Sequence, residues 1–60
     1  MKFRICNQYD EVLPWIFEEV NEAIEFAKAR AEKDNSKYII ETYAIGAWFT
    51  YCIVTRNYTF

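Results

Sequence analysis

Residues 1–60 predict a single small domain, in which 53% of residues are hydrophobic and 20% aromatic. The formal net charge of −2 disfavours general nucleic-acid binding, which needs a basic surface. With no histidine, two separated cysteines and one glycine, the chain lacks the commonest general base, a zinc-ligand set and a phosphate-binding loop. We therefore expect no enzyme activity, no cofactor and no metal site.

The chain opens on an alternating segment from Lys2 to Tyr9. Phe3 and Ile5 point to one side, while Arg4 and Cys6 point to the other. This pattern predicts a half-buried strand with one wet face, followed by a turn at residues 10–11.

The segment from Val12 to Phe17 has two readings. Trp15 and Ile16 are good strand residues and favour a short strand that forms a hairpin with the first one. Alternatively, Pro14 occupies the first turn of a longer helix, where its missing N–H costs nothing. The hairpin is the preferred interpretation.

The segment from Glu18 to Asn35 predicts the one long helix. Its acidic residues lie near the N-terminus and its basic residues near the C-terminus, as the helix dipole favours. Asn35 suits a left-handed C-cap, and Phe26 lies either at the flank of the core or on the surface. The apolar stripe that should face a sheet consists of Val20, Ala23, Ile24, Ala27 and Ala31.

The ranges Lys37 to Ile45 and Ala47 to Tyr58 are the strongest strand signals, joined by a turn at Gly46. The predicted fold class is therefore α+β. A mostly antiparallel sheet of three or four strands, ordered β-β-α-β-β or β-α-β-β along the chain, carries one helix on one face.

One helix covers only one side of a sheet, and neither of the last two strands has a clearly polar face. We expect the other side to expose apolar side chains, which usually marks an interface. The sequence thus predicts a small module that acts by stoichiometric protein–protein interaction, as a homodimer. Alternatively, the last strand, Ala47 to Phe60, lies at an edge and adds a strand from a partner. A well-packed monomer also stays open. The predicted interface residues are Tyr38, Ile40, Trp48, Cys52 and Val54.

The helix also suggests an acidic ridge for docking a basic partner, formed by Glu18, Glu22 and Glu25. A solvated helix face is the simpler interpretation of these charges.

Single-stranded nucleic-acid binding is the alternative function. An aromatic and basic platform on the sheet would be formed by Lys2, Arg4 and Arg56 with Trp48 and Tyr58. The acidic balance and the absence of a basic cluster argue against it.

No segment approaches the roughly 20 apolar residues that cross a bilayer, and the N-terminus does not resemble a signal peptide. We expect a cytoplasmic protein with no membrane partner. Cys6 and Cys52 are then expected to be reduced, although a bridge stays possible if their strands pair.

The run FEEVNEAIEFA from Phe17 to Ala27, followed by YIIE from Tyr38 to Glu41, resembles small accessory proteins of phages and prophages. In these, a strand leads to an EEAIEFA-type helix and then to a strand or hairpin. This chain has Glu18 or Glu19 where that pattern usually has a serine, threonine or aspartate cap. The resemblance covers about half of the chain. It implies an accessory factor without enzyme activity, and suggests inhibition of a host defence enzyme by binding.

Overall fold

In the computed structural model, which describes residues 1–60, four antiparallel strands form one sheet and a single helix packs on one of its faces. The strands lie in the order β2 (Val12–Phe17), β1 (Phe3–Asn7), β3 (Tyr38–Ala44) and β4 (Ala47–Val54), so β2 and β4 are the edges. The predicted α+β fold is confirmed in its β-β-α-β-β form, and residues 12–17 form a strand. The helix α1 spans Val20–Asp34.

The turn between β1 and β2 is organised by Asn7. Its side-chain oxygen accepts hydrogen bonds from the backbone N–H groups of Tyr9 and Glu11, at 2.9 and 3.0 Å. Asp10 completes the turn in the left-handed region, with φ 64°. A side chain that bonds the local backbone in this way ends the strand, so β1 stops at Asn7.

The helix α1 is pressed against the sheet by its smallest residues. Ala23, Ala27 and Ala31 are fully buried, and the absence of longer side chains lets the helix backbone approach the strands closely. Asn35 adopts the predicted left-handed cap, with φ 55°, and donates its N–H to the Ala31 carbonyl at 2.7 Å. The helix begins at Val20, two residues later than predicted.

The core lies between α1 and the strands, and Phe26 closes one flank of it. The Phe26 ring centroid lies 5.0 Å from that of Trp15 and 5.6 Å from that of Phe17, both on β2. Phe26 is thus a flank of the core rather than a free surface contact. The buried sheet residues beneath the helix are Phe3, Ile5, Tyr38, Ile40, Cys52 and Val54.

Four of the five predicted interface residues are therefore core residues, and the expectation that they lie on the uncovered face is wrong. Tyr38 and Ile40 pair with Asn7 and Ile5 of β1, which fixes them on the helix side of the sheet. Cys52 and Val54 join them there because of a β-bulge, described next. The four residues are Tyr38, Ile40, Cys52 and Val54.

The bulge in β4 shifts the alternation of its side chains. Ile40 pairs with Cys52, but the next residue, Glu41, pairs with Thr50, so Tyr51 is an extra residue. Trp48 and Thr50 therefore face away from the helix, while Cys52 faces it. A strand without a bulge would place the side chains of all three residues on one face.

The β3–β4 turn and the chain end differ in part from the prediction. Gly46 has the expected positive φ, of 75°, but the preceding residue, Ile45, also has a positive φ, of 50°. β4 ends at Val54 rather than at Tyr58, and the tail then folds back. Ile53 and Phe60 exchange two backbone hydrogen bonds, of 3.3 and 2.8 Å.

Candidate functional site

The side of the sheet that the helix leaves uncovered is the candidate site, and we call it the open face. The strand registers place one alternating set of side chains from each strand on it. Its members are Val12 and Ile16 on β2, Arg4 and Cys6 on β1, Ile39, Glu41 and Tyr43 on β3, and Trp48, Thr50 and Ile53 on β4.

A polar cluster occupies the centre of the open face. The Arg4 Nε group donates a hydrogen bond of 2.7 Å to Glu41 Oε1, and the Cys6 thiol donates one of 3.3 Å to the same oxygen. The Arg4 and Glu41 side chains are only 25% and 20% exposed. Their opposite charges therefore meet in a partly shielded position, and the centre of the face carries little net charge.

Trp48 lies over this cluster. The Arg4 guanidinium carbon is 4.4 Å from the centroid of the Trp48 ring, which is a cation–π contact. Tyr43 meets the same ring edge-on, with centroids 5.2 Å apart and planes inclined at 70°. One flat surface of the indole is thus already occupied by Arg4, so the aromatic and basic groups of the open face satisfy one another.

Exposed apolar side chains surround the polar centre. Tyr43 is 47% exposed, while Val12 and Ile16, on the edge strand β2, are 49% and 56% exposed. Ile39 and Ile53 are half-buried between them. This arrangement inverts the usual protein-binding surface, which has an apolar core and a polar rim, because here the central charges are paired and the exposed apolar area lies around them.

Both cysteines are free thiols on opposite sides of the sheet, which excludes a bridge between them. Burial, with the hydrogen bond and charge of Glu41, raises the pKa of Cys6 from its ordinary value of 9.0 to about 11. Burial also raises the pKa of Cys52. Both thiols therefore stay protonated at neutral pH, and neither is an activated nucleophile.

Trp48 is the one predicted interface residue that lies on the open face. The ridge residues Glu18, Glu22 and Glu25 are exposed as predicted, although Glu18 precedes the helix rather than lying on it. The basic residues proposed for nucleic-acid contact do not gather, because Arg4 bonds Glu41 while Arg56 lies in the turn after β4.

The sequence did not reveal Glu41, Tyr43 and Ile39 as site residues. A signal was present: Glu41 is the single charged residue inside β3, and a charged residue in mid-strand usually points to water. That position marks the face of Ile39, Glu41 and Tyr43 as the outward one, and Tyr38 and Ile40 as inward.

A hollow of about 470 Å³ lies near the end of α1, on the other side of the sheet. There the Tyr38 hydroxyl donates a hydrogen bond to the Asp34 carboxylate, which is the main reason that the pKa of Tyr38 is raised.

No group of three or more histidine, cysteine, aspartate or glutamate side chains is placed to hold a metal ion. The helix α1 is too short and too polar to cross a membrane.

Comparison of the chain with protein-family models, with curated proteins and with solved structures finds no match.

Proposed function

We propose that this protein is a non-enzymatic module that acts by stoichiometric protein–protein interaction, as a homodimer. The observation that carries the interaction with a partner protein is the open face, where a paired Arg4 and Glu41 lie among exposed apolar side chains. The helix covers the opposite face only, so the apolar side chains of the open face stay exposed among residues 1–60. Uncovered apolar surface of this kind is stabilised by contact with another protein.

A protein partner fits the open face better than single-stranded nucleic acid does. A stacking platform needs a free aromatic surface and a free cation, but the Arg4 guanidinium lies 4.4 Å from the Trp48 ring centroid and also bonds Glu41. Opening that arrangement would cost both the cation–π contact and the ion pair. The nucleic-acid alternative therefore has no support from the geometry of these residues.

The role that the sequence resemblance suggests is a phage accessory factor that inhibits a host defence enzyme by binding it in the cytoplasm. A second surface is available for a basic partner, because Glu18, Glu22 and Glu25 are exposed. In this proposal the open face supplies apolar contact area, and the acidic ridge steers the approach of a positively charged partner.

The test is capture of a protein from host lysate with matched tyrosine variants. Tyr43→Glu puts a charge on the open face, while Tyr9→Glu makes the same change in the β1–β2 turn, where the side chain is 74% exposed. We expect Tyr43→Glu to lose the captured protein and Tyr9→Glu to keep it in a one-to-one ratio. Equal capture by both variants would show that the open face is not the binding surface. Retention of single-stranded oligonucleotides by the wild type at low salt would favour the alternative function.

A further inference from the structure

The edge strand β4 has one bulge, at Tyr51, but it lacks the charged and proline residues that normally keep sheet edges apart. Its eight residues, AWFTYCIV, include no charged residue, no proline and no glycine. Most proteins place lysine, proline or a short strand at an edge, because unpaired backbone groups recruit other strands. The opposite edge, β2, carries Pro14 in its middle. β4 is therefore the edge that is open to pairing.

The C-terminal tail covers only the far end of β4. Phe60 exchanges two backbone hydrogen bonds with Ile53, and Thr59 pairs with Val54. The tail is held there by a tight turn, in which Thr55 donates its N–H to the Tyr58 carbonyl at 2.7 Å. The tail forms a short antiparallel bridge with the β4 edge, and none of its backbone hydrogen bonds reaches the range 47–51, which it leaves uncovered.

In that uncovered range, some backbone N–H and C=O groups point away from the sheet, where a second strand can bond them. Tyr43 donates its N–H to the Lys2 carbonyl, on the β1 side of β3. Because backbone groups alternate in direction along a strand, the N–H and C=O groups of the neighbouring residue Thr42 point towards β4. Phe49 is the β4 partner of Thr42, so its backbone N–H and C=O groups point towards β3. By alternation, the N–H and C=O groups of Trp48 and Thr50 point away from the sheet, towards solvent.

We propose that the homodimer forms by antiparallel pairing of two β4 edges about a two-fold axis at Phe49. This inference rests on the homodimer named in the proposed function and identifies its surface. The outward backbone groups of Trp48 would bond those of Thr50 in the second copy, and Phe49 would face its own counterpart. The uncovered range is centred on Phe49, so this register uses all of it.

A second copy is the occupant that the chemistry of β4 favours. An uncharged strand meets its own copy without repulsion, whereas a charged partner strand would find no complementary charge there. Phe49 and Tyr51 are each 51% exposed, and pairing would bring these rings together with those of the second copy. The joined sheet would have eight strands, with both open faces on one side.

Disulfide trapping tests the register directly. Residues that face each other in a non-hydrogen-bonded antiparallel pair have Cα atoms about 4.5 Å apart, which lies within the range for a disulfide. We expect Phe49→Cys to form a covalent dimer under mild oxidation. The control is Tyr9→Cys, at a position 74% exposed in the β1–β2 turn, which should stay monomeric on non-reducing gels. Equal trapping of both variants, or of neither, would overturn the proposal.

A charge variant separates this inference from the proposed function. Thr50→Lys brings two like charges close to the two-fold axis, and should weaken the dimer by about tenfold or more in sedimentation experiments. Tyr9→Lys, in the β1–β2 turn and outside the open face, should leave the dimer unchanged. A wild type that is monomeric at all concentrations contradicts the homodimer itself. A wild-type dimer that both lysine variants preserve contradicts only the β4 edge.

Discussion

At the scale of single residues, the β3–β4 turn combines strain with exposure at Ile45. Its φ of 50° lies in the left-handed region, which crowds any side chain with a Cβ and a β-branched one most of all. The side chain is 98% exposed, so no packing offsets that cost. Asparagine followed by glycine is the preferred pair for such a two-residue turn, and here isoleucine stands in the first position.

We therefore expect Ile45→Asn to stabilise the protein by about 1 kcal/mol, because asparagine tolerates the left-handed region. Urea unfolding followed by circular dichroism measures the change. Gly46→Ala is the opposite control, since it puts a side chain at φ 75° and should destabilise by about 1 kcal/mol. An Ile45→Asn variant no more stable than the wild type would show that Ile45 is not strained.

Residue chemistry also explains which turns the sequence predicted. Gly46 and Asn35 are residue types that accept positive φ, and each lies where a strand or helix pattern stops, so both positions were predicted correctly. Ile45 has no such preference. Its conformation follows from the pairing of Ala44 with Ala47, which leaves two residues to reverse the chain.

At the scale of elements, the helix start is the weakest end of α1. Glu19 occupies the N-cap position with extended backbone angles, but its side chain makes no capping hydrogen bond. A short oxygen-bearing side chain would accept a hydrogen bond from a free N–H of the first turn. Glu22 lies three residues later, where a glutamate completes a capping box with serine.

Glu19→Ser is accordingly expected to stabilise the protein by about 1 kcal/mol. Thermal or urea unfolding checks this prediction. The matched control is Glu18→Ser, one residue earlier and outside the cap, which should change the stability little. If both variants gain the same stability, the gain comes from reduced negative charge rather than from capping.

The elements themselves were predictable, whereas the faces of β4 were not. Periodicities of two and of about 3.6 residues distinguish strands from the helix, and they depend on sequence alone. The bulge at Tyr51 depends instead on how β4 meets Glu41 of β3. One extra residue reverses the face of every side chain beyond it. Cys52 and Val54 therefore lie in the core rather than at the predicted interface.

At the scale of the whole molecule, three titratable side chains are buried in the fold in their neutral forms: Cys6, Cys52 and Tyr38. Burial is the leading cause that raises the pKa of Cys6 and of Cys52, and the hydrogen bond to Asp34 is the leading cause for Tyr38. All three groups titrate at lower pH in the unfolded chain than in the folded one. Stability is therefore coupled to pH in the alkaline range.

The direction of that coupling follows from the sign of the shifts. A group with a raised pKa in the folded state contributes its stability fully below its unfolded pKa, which is 9.0 for Cys6, and loses it as pH rises through about 11. We expect the free energy of unfolding to be level near neutral pH and to fall above pH 9, by up to about 1.4 kcal/mol per pH unit for each proton released. Urea unfolding from pH 7 to about 11 measures this decline. Cys6→Ala removes one titrating group, so its decline should be shallower even if the variant is less stable at every pH. Parallel curves for Cys6→Ala and the wild type would mean that the Cys6 thiol is not shielded by β1 and Glu41.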